Sequence, residues 1–174
     1  MLPQHKPSPW LYTAGEIGFF LIAGASILAA ILISLIYIPA LPPGAIHWPA
    51  LVILYWACYQ PRWQPLLLIF IMGILCDLLS GASLIGITSF IGVLLATLLR
   101  SQNHLLLALP FWAVWLIVSG FLFLWRGIEA MAFGLALGIW PPATMWLGSV
   151  LLSAICFPLV AVLLAPLRRA EFRL

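Results

Sequence analysis

Apolar stretches cut short by prolines, glycines or a single charge make up almost the whole chain. The first covers residues 17–38 and stops ahead of a turn built from Pro39, Pro42, Pro43 and Gly44. Three shorter ones follow: 49–59, closed by Gln60, Pro61 and Arg62; 65–79, closed by Ser80, Gly81 and Ala82; and 84–99, ending at Arg100. A fifth covers 104–125, and the last, 145–167, runs into Arg168 and Arg169. A membrane-spanning helix takes roughly 20 apolar residues, so the pattern predicts six spans. The stretch 130–140, which stops at Pro141 and Pro142, is too short for a seventh and predicts an interfacial or re-entrant helix. Residues 48–100 must cross three times, which leaves about 17 residues per crossing. Helices that short imply a thinned bilayer or shelter inside a bundle.

Composition leaves no other class open. The 174 residues are 66% hydrophobic and 6% charged, with a mean hydropathy of +1.22. Soluble domains run at roughly 45–50% apolar and about 25% charged, and disordered chains are more polar still. Six spans take about 120 residues, so no water-soluble catalytic or nucleic-acid-binding domain fits beside them. The net charge of +3 rests on seven Lys and Arg, far short of a basic groove for nucleic acid. The first ten residues carry His5 and Lys6 but no apolar core, and the run after them exceeds the 7–15 residues of a signal peptide. It is expected to be the first span, with no cleavable signal.

Charge sets the expected orientation. With an internal N-terminus and six crossings, Lys6, Arg62, Arg100, Arg168, Arg169 and Arg173 lie inside and Arg126 alone lies outside. A seventh crossing would export the three terminal arginines, so both chain ends are expected in the cytoplasm. Trp10, Trp48, Trp63, Trp125 and Trp140 fall near the expected span ends, as interfacial anchors do, whereas Trp56, Trp112 and Trp115 lie deeper and suit packing. Cys58, Cys76 and Cys156 lie within apolar runs without a CxxC spacing or a nearby His, and are expected to be small buried hydrophobes.

Few residues could carry chemistry. Of the four acids, Glu16 opens the first span and Glu171 sits in the tail, but Asp77 lies inside an apolar run, where a carboxylate costs about 2.5–3.5 kcal/mol. Counted from Pro65 it is about 18 Å along its helix, toward the outer end. The last turn of a helix also disfavours an anion. Asp77 therefore needs a partner or a proton. Two partners are open: Arg126, the single outer cation, or backbone N–H groups of the following turn at Gly81 and Ala82. Gly73, Asp77 and Gly81, four apart, share one helical face, and small residues so spaced let helices approach closely. Ala130, Gly134 and Gly138 repeat the spacing, as do Ser149 and Ser153. His5, His47 and His104 are scattered over tails and loops, no HExxH, GxSxG or paired acids occur, and Arg126 with Glu129 suits a solvated interface. No enzyme, metal or cofactor chemistry is expected. A proton path would need several embedded ionisable groups, and Asp77 is one.

One segment carries a family resemblance. Pro49, Leu54-Tyr55-Trp56, Pro61-Arg62 and then Gly73-Ile-Leu-Cys-Asp77-Leu-Leu-Ser-Gly81 together resemble the rod shape-determining protein MreD family. Chain length and a polytopic layout with little mass outside the membrane are similar too. The family commonly has a further Gly eight residues after the Asp; here position 85 is Ile and the glycine is Gly86. The motif-bearing match covers residues 49–100. The resemblance implies an all-α, six-helix membrane bundle, similar to the substrate-binding subunit of energy-coupling-factor transporters. It implies work without catalysis in bacterial cell elongation and peptidoglycan synthesis, beside the bitopic MreC, the actin-like MreB, and RodA with its transpeptidase.

The expectation is thus a multi-pass inner-membrane scaffold that acts by helix–helix contact within membrane lipid. Its candidate structural or partner-facing residues are Asp77, Gly73, Gly81, Gly86, Arg126, Tyr55, Trp56, Pro61 and Arg62. Either a glycine-lined groove near Gly73, Gly81 and Gly86 receives a partner helix, or Asp77 holds the helix ends that shape it. The alternative is a vitamin-type binding subunit of a transporter, which would need several polar groups lining a pocket.

Overall fold

The computed structural model describes residues 9–36, 44–59, 65–138 and 140–169. They form α1 (Pro9–Ser34), α2 (Trp48–Tyr59), α3 (Leu66–Leu79), α4 (Ile87–Ser101), α5 (Asn103–Ala108), α6 (Phe111–Leu137) and α7 (Ala143–Arg169). No strand occurs among the described residues. By length and apolar character Phe111–Leu137 and Ala143–Leu167 can each cross a membrane, while Gly18–Ser34, α2, α3 and α4 are apolar but shorter.

The shortest of these sits at the centre. Every residue of α2 from Pro49 to Cys58 is buried, and the helix touches α1, α4, α5, α6 and α7. A helix of 12 residues spans about 18 Å, too little for a bilayer core. Its neighbours cover it instead, so lipid never has to close around it. Around it α3 packs on α4 and α6 on α7, each pair presenting a leucine- and phenylalanine-rich face outward through Leu67, Phe70, Phe90, Leu116 and Leu151. Outward apolar faces are what a bilayer solvates.

Several boundaries differ from the expectation: α1 starts at Pro9, eight residues before the expected first span, and ends at Ser34. The fifth run is broken at Leu109, which adopts an extended conformation before Pro110, so α5 stops and α6 starts at Phe111. Proline lacks the N–H that would continue the helix and pushes its predecessor into extended backbone. The stretch 130–140 is not a separate interfacial or re-entrant segment: α6 passes through 126–130 without interruption and ends only at Gly138, whose φ is +68°. The charges that suggested a break, Arg126 and Glu129, pair with each other one turn apart and leave the helix whole. Finally α4 begins at Ile87, three residues later than expected, because Gly86 takes φ +96°.

Candidate functional site

The joint between α3 and α4 is built around Asp77. Its backbone carbonyl accepts the N–H of Ala82 at 2.9 Å, while the N–H of Gly81 reaches back to Leu78 O at 3.3 Å. With Gly81 at φ +63°, these bonds form a Schellman closure of α3, which a residue with a Cβ could adopt only under strain. The Asp77 carboxylate meanwhile leaves its own helix. Oδ2 accepts the backbone N–H of Gly86 at 2.7 Å and of Thr88 at 3.3 Å, so it supplies the N-terminal cap that Gly86 has no side chain to provide. Asp77 is 2% exposed. The dipole conflict expected at the end of α3 is relieved because the carboxylate sits on the positive end of α4.

Gly73, one turn before Asp77, sets how closely the two helices run. A Cβ there would stand 2.5 Å from Ser89 Cα and 2.7 Å from Ser89 N. The hydroxyl of Ser89 then donates to Phe70 O at 2.8 Å. Thus Gly73, Asp77 and Gly81 have separate tasks on one face: close approach, capping and termination. Ser89 already fills the space at Gly73, and no room is left there for another helix.

A second polar cluster joins α6 to α7 and to the start of α2. Arg126 Nη1 donates to Glu129 Oε2 at 2.8 Å. Its Nε and Nη2 both donate to Ser149 Oγ, at 2.9 and 2.7 Å, and Nη2 also reaches Gly44 O at 2.6 Å. The other carboxylate oxygen of Glu129 accepts the Trp125 indole N–H at 2.8 Å and faces His47 Nε2 at 3.4 Å. His47 Nδ1 accepts the N–H of Ala50, and the His47 N–H donates to Ser153 Oγ. Glu129 is 7% exposed. The Ser149–Ser153 stripe is therefore a pair of hydrogen-bond stations, not a bare packing surface. In the other stripe Gly134 is covered by the ring of Trp140, 2.6 Å from where a Cβ would lie.

Arg126 does not pair with Asp77. The guanidinium is taken up by Glu129, Ser149 and Gly44, and the Asp77 carboxylate by backbone amides; the two clusters share no hydrogen-bonding group. Of the two partners open to Asp77, backbone N–H is the right kind, but the amides belong to Gly86 and Thr88, not to Gly81 and Ala82. Glu129 with Arg126, expected at a solvated interface, is mostly enclosed instead. No motif marks this cluster, and His47 is 82 residues from Glu129 in the chain.

The other candidates are placed more simply. Tyr55 and Trp56 are buried in α2, and the Trp56 indole donates to Ser26 Oγ of α1 at 2.9 Å. Pro61 and Arg62 lie outside the described residues. Cys58 and Cys76 are buried and Cys156 half-buried. Among the described residues, no three His, Cys, Asp or Glu side chains are grouped to hold a metal.

The model of one family, described as rod shape-determining protein MreD, matches residues 15–166. The chain belongs to the MreD family. No curated protein and no solved structure matches it. Membership brings a membrane protein with a role in determining rod shape, and the apolar helices and outward leucines of this MreD chain agree with it. MreD is not a known enzyme family. The matched region contains both polar clusters.

Proposed function

We propose that this MreD-family protein is a non-catalytic scaffold of the bacterial cell-elongation complex. It sits in the inner membrane with six crossings and both chain ends in the cytoplasm. It offers helix-end surfaces to an MreC-like bitopic partner, and through it to MreB and to RodA with its transpeptidase. The observation that carries this reading is where the polar groups spend their bonding capacity. Asp77, Glu129, Arg126, Ser149 and Ser153 all hold one helix to another. A vitamin-binding subunit would need such groups turned into a pocket; here they close on each other.

The filling of Gly73 by Ser89 favours the second of the two expected modes, in which Asp77 shapes a partner surface without touching the partner. That surface is the α3–α4 turn. It carries Ile85, 63% exposed, between Gly81 and Gly86. On the positive-inside orientation the turn faces outward, the side on which a bitopic partner with an external domain is met.

The test is affinity purification of the full chain in mild detergent, with neighbours identified by mass. Recovery of MreC-like and synthase proteins, weakened by Ile85→Asp at unchanged expression, supports the scaffold. Recovery with a cytoplasmic ATPase pair and no cell-wall protein overturns it in favour of the transporter.

A further inference from the structure

Nearly every buried polar side-chain atom among the described residues is hydrogen-bonded; the exceptions are Nε and Nη2 of Arg100. These two nitrogens are the donors along one edge of the guanidinium, the edge that matches two oxygens of a carboxylate or phosphate. Charged donors left buried without an acceptor are costly, so the edge is a binding function awaiting its acceptor.

Its placement narrows the acceptor. Arg100 occupies the last turn of α4 and continues the inward face of Gly92 and Ala96 at four-residue spacing. Gly92 on that face abuts Ile69 of α3 and Trp125 of α6, so the side of α4 that carries Arg100 at its end faces the bundle. Both charged clusters described above are at the opposite helix ends, and their carboxylates are already engaged. The adjoining α5 is six residues long and packs chiefly on α2. It exposes Leu105 and Leu107, and Leu98, two residues before Arg100 in α4, is exposed as well. A fixed two-donor edge next to outward leucines at a helix end suits a molecule with an oxyanion head and apolar tails. Basic sites between membrane helices on the cytoplasmic side bind anionic lipid headgroups in this way.

We propose that Arg100 is the headgroup-phosphate ligand of a site for one anionic phospholipid, with the acyl chains lying along Leu98, Leu105 and Leu107. Because the edge is enclosed in the lipid-free chain, binding requires the long side chain to turn its guanidinium toward the headgroup level. The fork, and not the charge alone, makes the site selective.

The test is native mass spectrometry of the full-length protein in a neutral maltoside, titrated with phosphatidylglycerol, phosphatidylcholine or soluble glycerol phosphate. One phosphatidylglycerol is expected to bind the parent chain in preference to phosphatidylcholine. Affinity should fall about tenfold or more in Arg100→Gln, fall less in Arg100→Lys, and stay unchanged in Arg168→Gln. Three results overturn the site: equal binding of the two lipids by the parent chain, equal losses in the Arg100 and Arg168 variants, or glycerol phosphate competing as well as the lipid. If Arg100→Gln does not yield folded protein, the lipid preference of the parent and the Arg100→Lys affinity decide the matter. An acidic partner protein that alone protects Arg100 would also overturn it.

Discussion

The indole N–H of Trp115 lies 2.8 Å from the carbonyl oxygen of Ala154, four residues before Pro158 inside α7. Proline at 158 has no N–H to give that carbonyl, so a side chain of α6 supplies the missing donor. One bond thus repairs α7 and joins it to α6. Trp115→Phe should therefore lower stability by about 1–3 kcal/mol, the cost of stranding a buried acceptor. Adding Pro158→Ala to that variant should recover part of the loss by restoring an intrahelical donor. Thermal unfolding of the parent, the Trp115→Phe variant and the double variant in one detergent reads both effects; no recovery would mean that Trp115 matters only as bulk.

Asp77 and Arg126 serve separate clusters, and separate clusters add. Asp77→Ala removes a charged cap from α4 and should cost roughly 1.5–3 kcal/mol. Combined with Arg126→Ala, the loss should equal the sum of the single losses to within about 0.5 kcal/mol. A coupling well above that would put the two residues in one network, contrary to their hydrogen bonds.

Two glycines make a sharp contrast. A Cβ at Gly73 runs into the backbone of Ser89, which has no flexible end to move, whereas one at Gly120 of α6 meets nothing within 4 Å. Gly73→Ala should force α3 and α4 apart and cost at least about 1–3 kcal/mol. Gly120→Ala should be neutral or stabilise by up to about 1 kcal/mol through helix propensity. Unfolding temperatures that fell equally in both would refute the close-approach role of Gly73.

The Arg126–Glu129 pair is enclosed, so removing one partner is worse than removing both. Glu129→Leu alone should cost up to about 3 kcal/mol by leaving a partly buried guanidinium, 20% exposed, short of its counter-charge. Arg126→Met in the same chain should return much of it. Measured as expression, unfolding temperature and rod-shape complementation, a double variant no better than Glu129→Leu would show that the cluster has work beyond holding α6 to α7 and α2.

What was readable in advance followed from one-dimensional signals. Asp77 announces its need for a partner because a carboxylate in an apolar run is costly wherever the chain goes; the four-residue spacing of Gly73 announces close approach, and the turn residues Ser80, Gly81 and Ala82 announce the end of α3. The identity of the capped amides was not readable: it depends on Gly86 turning α4 back over the end of α3. In the sequence His47 reads as a loop histidine, because its partners, Ala50 apart, come from Glu129 and Ser153, far along the chain. The stretch 130–140 misled for a related reason. A charge pair looks like an interface in sequence, and only the position of Ser149 and Gly44 shows that it is satisfied within the protein.

By itself the sequence determined that this chain lives in a bilayer, and where most of its helices run. Hydrophobicity is a sum over residues, and Pro and Gly act on their own backbone. The tertiary structure alone decided which short helix is wrapped by the others and which amide each buried acid caps. It also left one edge of Arg100 without an acceptor. Those are properties of distances between residues far apart in the chain, and desolvation makes each of them count.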